Sequence, residues 1–306
     1  FTFASSVARV GRGELTLLRE GLIDLRQLRQ AGGLRLAFVC TGNTCRSPMA
    51  EGLARLVLAE RLGCAPAALE DFGQMLFFAG EAFAWAFRPP FRLELLVAQM
   101  AFIGVGSAFI VGVTGTFTGM VLALQLNMAL GQFGMENYVG GTVGFALARE
   151  LAPVFAALMI TGRSGSAIAS ELGTMRVTEQ IDAMESMAVS PIQYLVVPRL
   201  VSAMLMFPVL TMLFNILGWL GALFMGVVVA RIPIAPFIAH TQEVVRDTDV
   251  GHGLFKAVIF GLIVSLITTW RGYAATGGSR GVGEGTTRGV VASSIAILVA
   301  DYVVTF

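Results

Sequence analysis

The chain has 306 residues, 56% of them hydrophobic and only 13% charged, with a mean hydropathy of +0.76. Soluble domains carry roughly 25% charged residues, so a bilayer is the expected surrounding. A formal net charge of +1 lacks the basic surplus that a nucleic-acid partner needs, and three cysteines make no disulfide framework.

The sequence opens on Phe1 and not Met, so an upstream piece is expected, and the first residues lack the order of a signal peptide. Within residues 1–33, Leu15, Leu18, Leu22, Leu25 and Leu28 recur at helical spacing among Arg19, Glu20, Arg26 and Arg29, which predicts an amphipathic helix. Cys40, Cys45 and Cys64 all precede the first long apolar segment and suit a reduced, cytosolic setting.

Residues 34–70 have another character. The stretch "LRLAFVCTGNTCRSPMAEGLARLVLAERLG", Leu34–Gly63, places Cys40 and Arg46 at C-x5-R spacing, followed by Ser47. Loop amides and the Arg46 fork would hold a phosphate, and a helix N-terminus after Pro48 favours anions. That field would lower the Cys40 pKa and make its thiolate a nucleophile. The stretch resembles the first strand, phosphate loop and first helix of low-molecular-weight protein tyrosine phosphatases and related arsenate reductases. That family's general acid lies in an Asp-Pro pair, and this chain contains no Asp-Pro. One strand and one helix also bury no core of their own. A short α/β-like, inactive passenger is expected, either a vestigial or fused fragment or a join of two genes. A phosphate- or headgroup-binding loop and a membrane-tethered phosphatase using Cys40 and Arg46 are the other readings.

From residue 71 to 306 the pattern is that of an all-α membrane protein. Phe72–Phe87 carries Phe72, Met75, Leu76, Phe78, Ala79 and Phe83 mainly three and four apart and ends at Arg88, Pro89 and Pro90. This predicts an N-terminal amphipathic helix in the headgroup plane, with packing on a protein surface as the alternative. A span needs about 20 apolar residues, and five segments qualify: Leu95–Gln125, Thr142–Thr161, Leu200–Ala230, Leu254–Trp270 and Gly289–Phe306. With the N-terminus cytoplasmic, Arg88, Arg92, Arg163, Arg176, Arg199, Arg271, Arg280 and Arg288 fall inside, while the outer loops hold Arg231 and Arg246. The C-terminus is then periplasmic. Gly115-x-x-x-Gly119 and Gly218-x-x-Gly221 predict close helix packing but not with which partner.

Two groups of charges call for a role. Arg149 and Glu150 sit inside the second span, where each ion is costly, by about 2.5–3.5 kcal/mol on insertion scales. They either snorkel to the outer interface or belong to a transport pathway, and Pro153 just after them removes a backbone donor. The loop Ala169–Pro191 predicts a helix that cannot span, with Val177, Ile181, Met184 and Ala188 on one face and Glu179 and Asp182 opposite. A Met-rich, acidic amphipathic helix between spans suits docking of a protein partner. No G-x-x-x-x-G-K-[ST] frame surrounds Lys256, the sole lysine, and "GGSRGVGEG" at Gly277–Gly285 reads as a flexible loop. Neither cofactor nor metal is expected in this chain, so any ATP and magnesium belong to a partner.

The run "ELAPVFAALMITGRSGSAIASELGTMRVTEQIDAMESMAVSPIQYLVVPR" resembles the core of the MlaE (YrbE) permeases. "GTFTGMVLALQ", "SLITTWRGYAATGGSRGVGEGTTRGVV" and "DYVVTF" extend the likeness over about Asp71–Phe306. The resemblance implies the non-catalytic membrane subunit of an ABC transporter that moves phospholipids between inner and outer bacterial membranes. It implies pairing with a second copy, a cytosolic ABC ATPase docked on Glu171–Ala188 with Glu171 and Glu185 among its contacts, a periplasmic MCE-domain protein and often a STAS-domain protein. It also implies a phospholipid pocket drawing on Leu122, Gln125, Leu126, Leu130 and Phe133, with Arg149 and Glu150 nearby. An ion-coupled carrier of lipids or small molecules is the competing transport class, although no inverted repeat is visible.

Overall fold

The computed structural model describes residues 7–11, 14–19, 66–86 and 92–306. The chain divides into two compact units, Phe1–Gln74 and Met75–Phe306. In the first, β1 (Val7–Gly11) and β2 (Glu14–Arg19) pair antiparallel, with Val10 opposite Leu15 and Gly11 opposite Glu14. The leucine spacing from Leu15 predicts a helix; Leu15 and Leu18 are instead in a strand. Glycines at positions 11 and 13 favour a chain reversal over helix continuation, and that local preference outweighs an apolar period only a few turns long. Leu22, Leu25 and Leu28, and the Cys40 and Arg46 loop, lie outside the described residues.

Helix α1 (Pro66–Ala86) runs into the second unit, where its buried face is Phe78, Ala79 and Ala82. These pack with Ile192, Val196 and Trp270, and the Phe78 ring lies 5.4 Å from both Trp270 and Tyr273. Leu76, Phe77 and Phe83 face outward, so the helix both packs on its own bundle and keeps an apolar side for a membrane surface.

Among the described residues, five helices are long and apolar enough to cross a bilayer: α2 (Leu93–Gly131), α3 (Glu136–Val177), α5 (Ile192–Val229), α7 (Asp247–Tyr273) and α8 (Gly278–Thr305). The second unit is a multi-pass, all-α membrane architecture. The spans outrun the sequence expectation. At 1.5 Å per residue α2 is about 58 Å long, well beyond a hydrocarbon core of about 30 Å, so the apolar run marks only part of each helix. Arg163, expected on a loop, is therefore inside α3, and Arg199 is inside α5. The glycine-rich stretch from Gly278 is the start of α8 and not a flexible loop; Gly277, at φ +90°, supplies the left-handed turn before it. Two shorter helices complete the fold, α4 (Gln180–Ser186) and α6 (Ile234–Val244), the latter in a segment expected to be a loop.

The tightest crossing joins α2 and α5. A Cβ on Gly119 would stand 1.8 Å from the Gly218 carbonyl oxygen, and one on Gly221 would stand 2.3 Å from that of Thr116. The two small-residue motifs are each other's partners, and only hydrogen at these positions lets the backbones meet. Around this crossing the interior is filled by Phe207, Phe214, Leu147 and Ile160, while Phe109, Phe117, Ile216 and Phe224 face outward. With no water to exclude on that side, helices apolar on every face are the expected result.

Candidate functional site

The interior of the bundle holds a cluster of ions built from three helices. Pro153 has no N–H for the carbonyl of Arg149, and the turn before it widens into a π-helical turn, Leu147–Leu151, that carries Arg149 and Glu150. Beside it, Gly253 of α7 lies so close to α3 that a Cβ would stand 2.1 Å from the Ala148 carbonyl oxygen. That approach brings Lys256 to Glu150.

Lys256 is 3% exposed, and its ammonium donates to Glu150 Oε2, to Asp301 Oδ1 at 3.0 Å and to Thr305 Oγ1 at 2.8 Å, the last two on α8. All three of its donors are thus used. Arg149 Nη1 donates to Asp249 Oδ1 at 3.4 Å, and Asp249 Oδ2 accepts from the Arg246 backbone N–H at 3.2 Å, which caps α7. Within the pair expected from the sequence, Arg149 Nε and Glu150 Oε1 are 3.8 Å apart, so each finds its better partner on another helix. The cluster is closed at Lys256 and open at its other edge, where the side chains of Arg149 and Glu150 keep 41% and 36% of their surface. Chemically it is a set of fixed charges inside an apolar bundle, accessible from one side, and three carboxylates against two cations leave it formally at −1.

Sequence reasoning picked out Arg149 and Glu150 but missed Lys256, Asp249, Asp301 and Thr305. The signal was present for Lys256: the sole lysine of the chain, in the middle of an apolar span.

The five expected pocket residues separate. Leu122, Leu126 and Leu130, one turn apart, pack half-buried against the core, whereas Gln125 and Phe133 are exposed. A groove of about 210 Å3 includes none of them; Trp85, Arg92, Tyr194, Val197 and Pro198 line it, and the Arg92 guanidinium stacks 4.7 Å from the Tyr194 ring.

The expected docking helix is divided in two. Helix α3 ends at Val177, Glu179 adopts φ +59°, and α4 begins at Gln180. No glycine or asparagine announces this left-handed residue, so a continuous helix was the natural reading. The break turns the middle of the assigned face inward: Ile181 is fully buried in the core and Met184 packs half-buried beside it, so Ile181 is not a surface contact. Val177 and Ala188 are exposed, as are Glu179, Asp182, Ala183, Ser186 and Met187. Glu171 pairs with Arg199 at 2.9 Å, supplying the countercharge for a guanidinium 3% exposed. Glu185 accepts from Tyr273 Oη at 3.1 Å, and Asp182 pairs with Arg176 at 2.5 Å. No three His, Cys, Asp or Glu side chains gather as metal ligands among the described residues.

Residues 96–306 match the family described as Permease MlaE. The chain belongs to the MlaE permease family. It is 40% identical over 236 residues to a probable ABC transporter permease protein of Rickettsia conorii, covering 77% of this chain and 91% of that one. It is 38% identical over 226 residues to one of Synechocystis, with coverages of 74% and 86%. The intermembrane phospholipid transport system permease protein MlaE of Haemophilus influenzae is 38% identical over 215 residues, with coverages of 70% and 82%. Helices α3 to α8, all but the first turn of α2 and every residue of the ion cluster fall inside the MlaE match. Residues 35–68 separately match low molecular weight phosphotyrosine protein phosphatase, a stretch that contains Cys40 and Arg46.

Proposed function

We propose that this chain is the membrane subunit of an ABC transporter that moves phospholipids between the inner and outer membranes, and that it is non-catalytic. The observation that carries the reading is the ion cluster around Lys256, closed on one side and open at Arg149 and Glu150, inside a bundle of MlaE-family sequence. A zwitterionic or anionic headgroup entering an apolar protein needs fixed charges to replace its water, and acyl chains need the leucine-rich walls that α2 offers. Leu122, Leu126, Leu130, Gln125 and Phe133 lie on that helix or just past its end, so the pocket is completed by a second copy of the chain.

Hydrolysis of ATP, with its magnesium, belongs to a separate cytosolic ATPase, because the sole lysine serves the cluster and no phosphate-cradling loop surrounds it. The surface offered to that subunit is the outer side of the Glu171–Ala188 segment, centred on Glu179, Ala183 and Met187. An MCE-domain protein on the periplasmic side and a STAS-domain protein complete the assembly, in the inner membrane with the N-terminus inside and the C-terminus outside. Residues 71–306 are the permease domain. Residues 1–33 and 34–70 are a passenger without phosphatase activity, since an Asp-Pro acid is missing.

The test is to extract the chain from native membranes in mild detergent and identify co-purifying proteins and lipids by mass spectrometry. An ABC ATPase and an MCE protein at fixed ratios, with bound phospholipid, support the reading. Recovery of the chain without ATPase or lipid refutes it.

A further inference from the structure

Arg163 is an arginine inside a membrane-spanning helix with no acid to pair with among the described residues. It lies on a second π-helical turn of α3, Thr161–Gly165, 13 residues beyond Glu150 and thus about 20 Å along the helix from the ion cluster. Its Nη1 alone is tethered: it donates to the Phe102 carbonyl oxygen at 3.3 Å, to Ser164 Oγ at 3.3 Å and to Ser107 Oγ at 3.5 Å. The two serines are buried and hydrogen-bonded to each other at 2.9 Å, so the tether is rigid. All these partners are neutral. Nη2 and Nε have no hydrogen-bond partner among the described residues, and the side chain is exposed.

The guanidinium is also given room. A Cβ on Gly106 would stand 2.2 Å from Nη1 and 2.5 Å from Nη2, so the fork lies flat across a bare stretch of α2. Phe102, Val105 and Phe109, exposed and spaced by three and four residues, run past it as an apolar track, with the guanidinium 5.8 Å from the Phe102 ring. One edge fixed by neutral oxygens and one edge open is an arrangement for a planar, two-point anion contact, and the adjoining track suits an acyl chain. We propose that Arg163, seated over Gly106 and steered by Ser107 and Ser164, binds the phosphate group of a phospholipid at a station separate from the Lys256 cluster. The inference rests on the transport reading for its purpose but not for its chemistry.

The probe is a phosphatidylglycerol with a photoreactive diazirine next to its glycerol, applied to the intact chain with its co-purifying partners and mapped by peptide mass spectrometry. Labelling of the Phe102–Phe109 peptide is expected to fall about tenfold or more in Arg163→Gln, the loss of a charge-assisted contact, and to be partly retained in Arg163→Lys. Gly106→Ala keeps the charge but displaces the fork and is expected to lose labelling too, which keeps the test intact where Arg163→Gln does not fold. A diacylglycerol probe, which lacks phosphate, is expected to label weakly and equally in all variants. Undiminished phosphatidylglycerol labelling in Arg163→Gln and Gly106→Ala overturns the proposal, as does diacylglycerol labelling of equal strength. Dissociation of the two copies in Arg163→Gln with labelling intact also overturns it, in favour of a protein contact. Millimolar inorganic phosphate that abolishes labelling identifies a free-phosphate site in place of a lipid one. Labelling without any ATP-driven lipid transfer would sink the transport reading and leave the site standing; transfer without labelling would do the reverse.

Discussion

Replacing Lys256 by Met tests whether the cluster is a charge-balanced unit. The substitution keeps an unbranched apolar stem and removes the cation that Glu150 and Asp301 share. The local formal charge moves from −1 to −2. Removing one partner of a buried pair costs about 3–5 kcal/mol, since the other is left unpaired. Glu150 and Asp301 keep 36% and 24% of their side-chain surface, so water screens part of that, and a loss of about 2–3 kcal/mol is expected. For a chain of this size that is a fall of roughly 5 °C in the thermal midpoint of the detergent-solubilised protein. Adding Glu150→Gln returns the cluster to −1, and the double variant is expected to recover at least half of the lost stability. The assay is a double-mutant cycle on thermal unfolding, which isolates the pair from its surroundings. A Lys256→Met variant as stable as the parent, or a double variant no better than the sum of the singles, would refute the reasoning.

Ile181→Ala is expected to destabilise the fold by about 2–5 kcal/mol because the side chain is fully buried, as read by thermal unfolding. Met187→Asp, 66% exposed at the C-terminal cap of α4, is expected to leave stability unchanged and to release the ATPase in a co-purification assay. Gly119→Val is expected to abolish folded protein on size-exclusion chromatography, since its Cβ would overlap the Gly218 carbonyl. Cys40→Ser is expected to leave phosphate release from p-nitrophenyl phosphate at the level of the unaltered chain, whose sequence contains no Asp-Pro pair to supply the general acid.

The spans, their number and close packing at Gly115–Gly119 and Gly218–Gly221 were legible because bilayer burial acts on composition and close approach acts on residue size; that the two motifs meet each other was not. What could not be read were features decided by tertiary contacts. The left-handed Glu179 carries no local signature, so the buried side of Ile181 and Met184 passed for a docking face. An amphipathic period identifies an apolar stripe but not whether the stripe meets its own chain or another. The cluster illustrates the same limit. Arg149 and Glu150 drew notice as neighbours in sequence, yet their partners Asp249 and Lys256 lie 100 and 106 residues away, Asp301 reaches the cluster through Lys256, and only the fold brings them together. At the other extreme, Leu15 and Leu18 had a helical spacing and formed a strand, since a short apolar period is weak beside the glycines that flank it.

Helix α7 joins the proposed ATPase-docking segment to the ion cluster. Tyr273 at its end donates to Glu185 of α4, and Arg176, paired with Asp182, lies over the Tyr273 ring at 5.6 Å. Lys256, 17 residues earlier and thus about 25 Å away, holds the cluster. No proline interrupts α7, so a displacement of α4 by the proposed ATPase is expected to pass along it to the Lys256 contacts unless the Tyr273–Glu185 bond gives way. Tyr273→Phe removes only that hydroxyl. It is expected to cost about 0.5–1.5 kcal/mol of stability and to leave the outer face of α4, and with it ATPase binding, unchanged. Lipid transferred per ATP hydrolysed by the reconstituted complex is expected to fall several-fold. An unchanged ratio would mean that the stroke reaches the cluster through another helix, for which α8, packed on α3 and carrying Asp301, is the next one to cut.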